Sequence, residues 1–476
     1  MNAAFTSACG FVVSAALAAL PALPSISQID PVAPVLLAIV FIIFAAMLGG
    51  VLMRRLGQPA VLGELLVGMI VANVAYALHS PMLTVLREGP IILTVVERAF
   101  THALTLQQAA QQVLPASESS RRVIEILGSS RGVVAVTVYQ FVDQLSRIAI
   151  VFLLFLVGLE TSVRELRRVG SRSLGVAVVG VACSWIFGYL VIAWIEPGNG
   201  FAANLFIGGI FTATSVAIST RVFRDIHQTA SPESRVVLGA AVMDDILGLI
   251  ILAVASGLVA TGMVNAVFVA GVALRAIVFL LASIGLGLWL APWLLGRLGR
   301  FQIPNLYLLV GIGLAFVYAW VAARFGLATI IGAFAAGLVL EDCFKSQISE
   351  HGALREILGQ LETLIVPIYF VLIGMQVKLE SFTNAGTLWI TAAFTVAAIA
   401  GKFVAGTVCI GRFRWMAVGV AMIPRGEVEL IFASIGRSLG VVNDATFAAV
   451  VAVVMITTFV APPLLKLTLG AEPVRH

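Results

Sequence analysis

The stretch Ala202–Phe223 reads AANLFIGGIFTATSVAISTRVF, and after a short charged connection Glu233–Gly257 reads ESRVVLGAAVMDDILGLIILAVASG. Two adjacent carboxylates, Asp244 and Asp245, therefore stand in the middle of a long apolar helix. A charge at the centre of a bilayer-spanning helix costs at least about 2.5 kcal/mol on the most lenient insertion scale. Two in succession call for an ionic partner, a bound cation, a proton or a water-filled cavity, and each of these belongs to a chain that handles ions inside a membrane.

The rest of the composition agrees with that setting. Of 476 residues 60% are hydrophobic and 11% charged, and the mean hydropathy is +1.07, whereas a soluble domain is about 25% charged. The expected class is an all-α polytopic membrane protein. No nucleic-acid-binding module is visible and no enzyme motif emerges, so the partners expected are ions and lipid. Cys9, Cys183, Cys343 and Cys409 are too scattered for a metal site or a disulfide framework and read as small buried hydrophobes.

Residues 1–30 contain an apolar run, Ala8–Leu23, with no preceding Lys or Arg; a cleaved leader and a short extra helix are both open readings. Beyond it about thirteen segments can span a hydrocarbon core roughly 30 Å thick, starting near positions 33, 57, 145, 173, 202, 233, 265, 304, 327, 357, 386, 415 and 444. Alternate loops carry the cations. Arg54 and Arg55, Arg164 to Arg172, Arg221, Arg224 and Arg235, Arg297 and Arg300, Lys345 and Arg355, Arg412 and Arg414, and Lys466 and Arg475 fall on one side; the short opposite loops hold only Arg324, Lys378 and Arg437. The positive-inside rule then makes the tail cytoplasmic and the start of the first helix external. The short positive loops and the tail leave no room for a soluble regulatory domain.

One connection is out of proportion. Residues 80–144, on the outer side, include TVVERAFTHALTLQQAAQQVL and SSRRVIEILG, separated by Pro115 and bounded by Gly128. Apolar residues recur there at helical spacing, which predicts two helices on or near the outer face, serving as a passive insertion, a cap or a dimer contact.

Two spans are interrupted. FTATSVAIST places Thr212, Thr214, Ser215 and Ser219 at mid-membrane depth after Gly208 and Gly209, and AMIPRGEVELIF places Pro424, Arg425, Gly426, Glu427 and Glu429 there. Pro removes a backbone donor, and hydroxyls can serve freed carbonyls. Each segment is the middle member of a three-span unit, 173–257 and 386–468, and the number of spans between the units gives them opposite orientations. Paired interrupted helices in inverted halves point to a transport site at the midplane.

The acidic pair follows the first interruption. Neighbours on a helix project about 100° apart, so one Asp can face a fixed partner while the other faces a cavity. Burial and a like-charged neighbour both penalise an ionised carboxyl, so a proton and a hard cation such as Na⁺ can compete for it. The alternative is a permanently protonated, structural pair. Lys402, the only Lys inside a span, opens the second unit and can meet the pair, either as a proton carrier or as a static salt bridge. Arg425 and Glu427 read as mutual or cross-helix charge compensation, Glu429 as a further carboxylate on the same cavity, and Arg275 as a cation that pairs with an unseen partner or lines an interface. Glu64, Glu160 and Glu362, near the ends of their spans, read as solvated or capping groups.

As a set, RLGQPAVLGELLVGMI (Arg55–Ile70), FLLFLVGLET (Phe152–Thr161), TATSVAI, the MDD of Met243–Asp245, IIGAFAAGLVL (Ile330–Leu340), VPIYFVLIGM (Val366–Met375), the GK of Gly401–Lys402 and MIPRGEVELI (Met422–Ile431) resemble the bacterial monovalent cation:proton antiporter-2 family. The resemblance covers nearly every span in order. It implies the sodium/proton antiporter fold, with inverted repeats, two crossing discontinuous helices, and a six-helix core moving against a panel domain that forms a homodimer in a bacterial inner membrane.

The resemblance further implies that Asp245 is the cation and proton site and that Asp244 pairs with Lys402; beside it, Asp244 is read as a second cation- and proton-binding carboxylate and Thr214 as a Na⁺ ligand. Two Asp with this Lys are similar to the electrogenic branch that exchanges two protons per Na⁺. The divisions expected are 1–30; 31–144, panel helices with the outer insertion 80–144; 145–257, first core unit; 258–385, linker and panel; 386–468, second core unit; and 469–476, a cytoplasmic tail. The outer insertion and Glu429 depart from the family pattern. The expected function is electrogenic Na⁺(Li⁺)/H⁺ antiport by alternating access, with no cofactor beyond the transported ions. Set against it are K⁺/H⁺ antiport on the same fold, a cation channel, and a membrane sensor.

Overall fold

A computed structural model describes residues 32–114, 118–160, 170–215, 218, 219, 223, 228, 231–262, 266–298, 306–344, 348–411 and 413–469. The alternative readings of residues 1–30, Pro115, the loop cations Arg164, Arg167, Arg168, Arg221, Arg224, Arg300, Lys345 and Arg412, and the tail with Arg475 lie outside the described residues; so do the side chains of Arg355 and Lys466.

Helices begin within three residues of eleven of the thirteen expected starts. In chain order they are α1 (Val32–Arg55), α2 (Ala60–Ala77), α3 (Pro81–Glu88), α4 (Ile91–Thr101), α5 (Leu106–Val113), α6 (Glu118–Leu127), α7 (Ser130–Glu160), α8 (Ser171–Ile195), α9 (Phe201–Ile210), α10 (Pro232–Thr261), α11 (Ala266–Leu298), α12 (Leu306–Arg324), α13 (Thr329–Phe344), α14 (Ile348–Met375), α15 (Ala385–Ala405), α16 (Trp415–Ala421), α17 (Glu427–Ser438) and α18 (Asp444–Leu469). Among the described residues nine helices are long and apolar enough to cross a membrane unaided, against the thirteen spans expected. Three shorter apolar helices, Phe201–Ile210, Leu308–Arg324 and Thr329–Glu341, stand at three further expected positions.

Two starts differ because hydropathy finds only the apolar part of a helix. The third span begins at Ser130 rather than near 145, and the tenth at Ile348 rather than near 357. At 31 residues α7 is about 46 Å long, more than a hydrocarbon core needs. Its first turns bury Val138, Tyr139 and Val142 in a core shared with α1, α2, the inserted helices and the end of α14.

The insertion itself holds four short helices instead of the two expected, followed by the start of α7. The chain breaks at Gly89, whose φ of 72° precedes Pro90, and restarts at Thr105, whose hydroxyl accepts from the Gln108 N–H. Leu86, Val95, Ala110 and Val123 turn inward from each of these helices in succession, so the insertion is amphipathic and packed on its own protein.

The two three-helix units are α8–α9–α10 and α15–α16/α17–α18, with α8 packed against α15. At ten, seven and twelve residues, α9, α16 and α17 reach only about 15, 10 and 18 Å, each a fraction of the bilayer core. The extended stretches after α9 and between α16 and α17 meet: the Ser215 N–H donates to the Pro424 carbonyl at 2.9 Å. On α11, Arg275 is exposed.

Helices outside the two units approach to backbone contact through glycine. A Cβ on Gly49 would strike the Gly63 carbonyl and one on Gly63 the Gly49 carbonyl, which locks α1 to α2; Gly158 and Gly337 do the same for α7 and α13. Small residues permit this approach, which drives helix association where lipid is as apolar as the side chains. Gly63→Val should therefore push α1 from α2 and cost about 1–3 kcal/mol, the usual range for overpacking. Thermal unfolding of the detergent-solubilised chain tests this, and an unchanged midpoint would rule out the backbone contact.

Candidate ion-binding site

Interrupting a helix inside a membrane frees carbonyls at one end and N–H groups at the other, and no water is present to take them. Here each broken segment serves the other. Arg425, fully buried, donates through one terminal nitrogen to the carbonyls of Phe211 (2.6 Å) and Ala213 (2.7 Å), just beyond α9. Its other terminal nitrogen donates to the Ala398 carbonyl of α15 at 2.8 Å. In return the Thr214 hydroxyl donates toward the Met422 carbonyl at 3.2 Å. Ser219 donates to the Ala421 carbonyl at 2.6 Å.

Glu429 completes this exchange. One carboxylate oxygen accepts from Arg425 at 3.2 Å and the other from the Gly426 N–H at 2.8 Å. A cation thus sits at the carbonyl end of α9 and an anion at the N–H end of α17, each opposing the partial charge of its helix terminus. The compensation expected between Arg425 and Glu427 is corrected accordingly: the ion pair is Arg425–Glu429. Arg425 lies in the extended stretch before α17, from which it reaches back to the first turn of that helix, where Glu429 turns toward Gly426 and Arg425 while Glu427 faces the cavity. Gly426 packs on Ser215 so closely that a Cβ would lie 2.9 Å from the serine Cβ, which makes a side chain there incompatible with the crossing.

The acidic pair divides as two directions on a helix require. Lys402 Nζ lies 2.5 Å from Asp244 Oδ2, and the Thr214 hydroxyl donates to the same oxygen at 2.8 Å. Lys402 and Asp244 are both without solvent exposure, so neither charge is tolerable there alone. Asp245 turns instead onto a cavity with about 70 Å³ of space for a water-sized occupant, lined also by Val157, Glu160, Thr214, Ser215, Val242 and the segment Gly426–Glu429.

The site residues read from the sequence therefore separate. Asp245, Thr214, Ser215, Glu427 and Glu429 border the cavity, while Asp244, Lys402 and Arg425 form the ion pairs that flank it. Thr212 turns away, its hydroxyl donating to the Gly209 carbonyl at 2.8 Å, and is corrected from cavity lining to helix-end cap. Glu160 is an exposed helix end, as expected, and it also forms part of the cavity wall. Its place depends on α7 passing beside the crossing, and no sequence spacing signals it. Carboxylates and hydroxyls converging on a small cavity form an oxygen-rich environment suited to a hard cation and to exchangeable protons.

A family model described as sodium/hydrogen exchanger, transmembrane, matches residues 39–470. The high-affinity Na⁺/H⁺ antiporter NhaS3 of Synechocystis sp. is 35% identical to this chain over 89% of it and 87% of the relative. The Na⁺/H⁺-K⁺ antiporter GerN of Bacillus cereus is 30% identical over 89% and 94%. Among solved structures, the sodium proton antiporter MjNhaP1 from Methanocaldococcus jannaschii shares the fold with a TM-score of 0.60 at 14% identity, over 93% of this chain and 98% of that one. With its helical architecture, its crossing interrupted segments and these matches, the chain is a multi-pass membrane transporter that belongs to the sodium/hydrogen exchanger family.

Proposed function

We propose that the chain is an electrogenic Na⁺(Li⁺)/H⁺ antiporter in which the cation and protons compete for Asp245. The observation that carries this reading is the division of the acidic pair: Asp244 is neutralised by Lys402, whereas Asp245 borders the cavity. A cation entering the cavity meets Asp245 and Glu427, carboxylates whose charges no fixed cation answers among the contacts described above. Ser215 and Glu427 stand beside it as oxygen ligands, with Thr214 joining when its hydroxyl turns from Asp244. A proton on Asp245 removes that attraction, so binding of one ion displaces the other, and alternating access carries either across. Lys402 supplies the second exchangeable proton: when the entering cation draws Asp244 to itself as well, the ammonium loses its partner and releases its own proton, and the pair re-forms when Lys402 is protonated again as the cation leaves. Two protons for one Na⁺ make each cycle electrogenic.

In this reading the chain works as a homodimer in a bacterial inner membrane with its tail inside, and 145–257 and 386–468 are the moving units. K⁺/H⁺ exchange on the same scaffold is the second reading, favoured by the 30% identity to a relative named for K⁺ as well as Na⁺.

Reconstitution into liposomes under an imposed proton gradient, with Na⁺, Li⁺ and K⁺ added in turn, tests both. Na⁺ or Li⁺ should dissipate the gradient, with an apparent KM for Na⁺ that falls as pH rises because fewer protons compete. Asp245→Asn should abolish the response. Silence with all three ions, or full activity of Asp245→Asn, would sink the proposal; a response to K⁺ alone would select the second reading. Lys402→Met should abolish the membrane current that accompanies exchange. It should also cost about 3–5 kcal/mol of stability by stranding Asp244, part of which Asp244→Asn restores in a melting experiment. Undiminished current from Lys402→Met would leave the lysine a purely structural role.

A further inference from the structure

The cavity lies at the start of α17; a second charged cluster lies at its other end. Ten residues separate Glu427 from Arg437, about 15 Å along the helix. Beyond Arg437, Lys378 Nζ stands 2.8 Å from Glu88 Oε2 and 2.8 Å from Asp444 Oδ2. Arg437 holds Asp444 at 2.5 Å, and reaches Gln376 at 3.0 Å and the Glu88 carbonyl at 3.3 Å.

These residues come from three separate parts of the chain. Glu88 ends the inserted helix α3, Gln376 and Lys378 connect α14 to α15, and Arg437 and Asp444 belong to the second three-helix unit. The seam is tight, because a Cβ on Gly89 would lie 2.9 Å from the Gln376 side chain and 3.1 Å from Arg437. One side of it is anchored. Arg87, fully buried, donates to Asn73 at 3.0 Å and pairs with Glu380, and its guanidinium lies 4.1 Å from the centre of the Tyr76 ring. Asn73 in turn donates to the Val377 carbonyl at 2.8 Å. The inserted helix, α2 and the 376–380 connection are therefore one body, and α17 and α18 touch it through charges.

Charges suit a contact that must open and close. Lys378 is 12% exposed and Asp444 42%, so water can replace each partner as the seam parts, and single pairs of this kind contribute little individually. Burial would pull the Lys378 ammonium down, but Glu88 and Asp444 outweigh it and hold the group above the usual lysine range. Lys378 therefore remains charged throughout the physiological pH range.

We propose that Lys378, Glu88 and Asp444 form the gate that closes the ion path on the face carrying the inserted helices, with Arg437 positioning Asp444. The insertion is the fixed side of this gate. The inference rests on alternating access, which requires a path open at one face to be shut at the other. The cavity extends to Glu160, the last residue of α7, whereas the start of α7 packs on α3 and α6. For Asp245 to reach the insertion's face, α17 and α18 must part from α3 at this seam.

Two measurements on the full chain decide it. In proteoliposomes the pair Glu88→Cys and Asp444→Cys, joined by a reducible bifunctional thiol reagent, should lose exchange and regain it on reduction, while each single variant treated identically keeps it. Full exchange by the cross-linked chain would overturn the gate. In the second, a membrane-impermeant thiol reagent is applied from the insertion's face to Ser215→Cys, with the chain lacking that substitution as the blank. Adding Lys378→Met should raise the labelling rate about tenfold, a modest shift of a two-state equilibrium. A static brace would leave the rate unchanged, and that result would also overturn the gate. A native chain without exchange would sink the transport reading instead, and the labelling rates would still decide the gate.

Discussion

A helix broken inside a membrane cannot leave its ends bare, and the rest of this structure follows from how two such breaks are satisfied together. Arg425 occupies the carbonyls beyond α9, Glu429 occupies the first N–H of α17, and Thr214 and Ser219 return hydroxyls to the carbonyls of Met422 and Ala421. Neither break could be solvated alone at comparable depth. The crossing is therefore an obligatory pair, and it fixes where α10 and α15 must pass: α10 brings Asp244 to Thr214, and α15 brings Lys402 to Asp244 and the Ala398 carbonyl to Arg425.

The same constraint produces the asymmetry on which chemistry depends. Asp244 and Asp245 are chemically identical and adjacent, yet helical geometry gives them different company. Around Asp244 an ammonium and a hydroxyl converge within 2.8 Å; around Asp245 there is a cavity. Arg425 might be expected to repel a cation so close by, but Glu429 faces it at 3.2 Å, leaving the local field to Asp245 and Glu427. Glu429 is thus coherent with its neighbours: the carboxylate screens a guanidinium and caps a helix at once.

Much of this was legible in the sequence where a single property decides the outcome. Hydropathy marks apolar segments, and a carboxylate pair or a lone Lys inside one stands out against that background. Properties that depend on two helices meeting were harder. Glu160 looks like any helix-end carboxylate, because its partner surface is built by residues more than fifty positions away. The pairing of Arg425 was not legible from helical spacing, because Arg425 stands in the extended stretch before α17, and the nearness of Glu427 in sequence misleads. The insertion shows the opposite failure. Its apolar periodicity signals helices correctly, yet their number was set by Gly89 and by the Thr105 cap, local breaks that periodicity over a long window averages away.

The position of α17 ties these observations together. A twelve-residue helix about 18 Å long is too short to bend appreciably, and its two ends carry different charges to different neighbours. Its first turn holds Glu427 and Glu429 at the cavity, and its last holds Arg437 against Asp444 and Gln376. Any displacement of one end displaces the other. In the proposed function, a cation drawn to Asp245 is thereby connected through a single rigid element to the charged seam beside the inserted helices. The inserted helices contact α17 and α18 through polar and charged groups at the far end of α17. Lying there, rather than beside the cavity, the inserted helices leave the cavity lining free of their side chains, and in the gate proposed above that position is what gives them leverage over which face the cavity reaches.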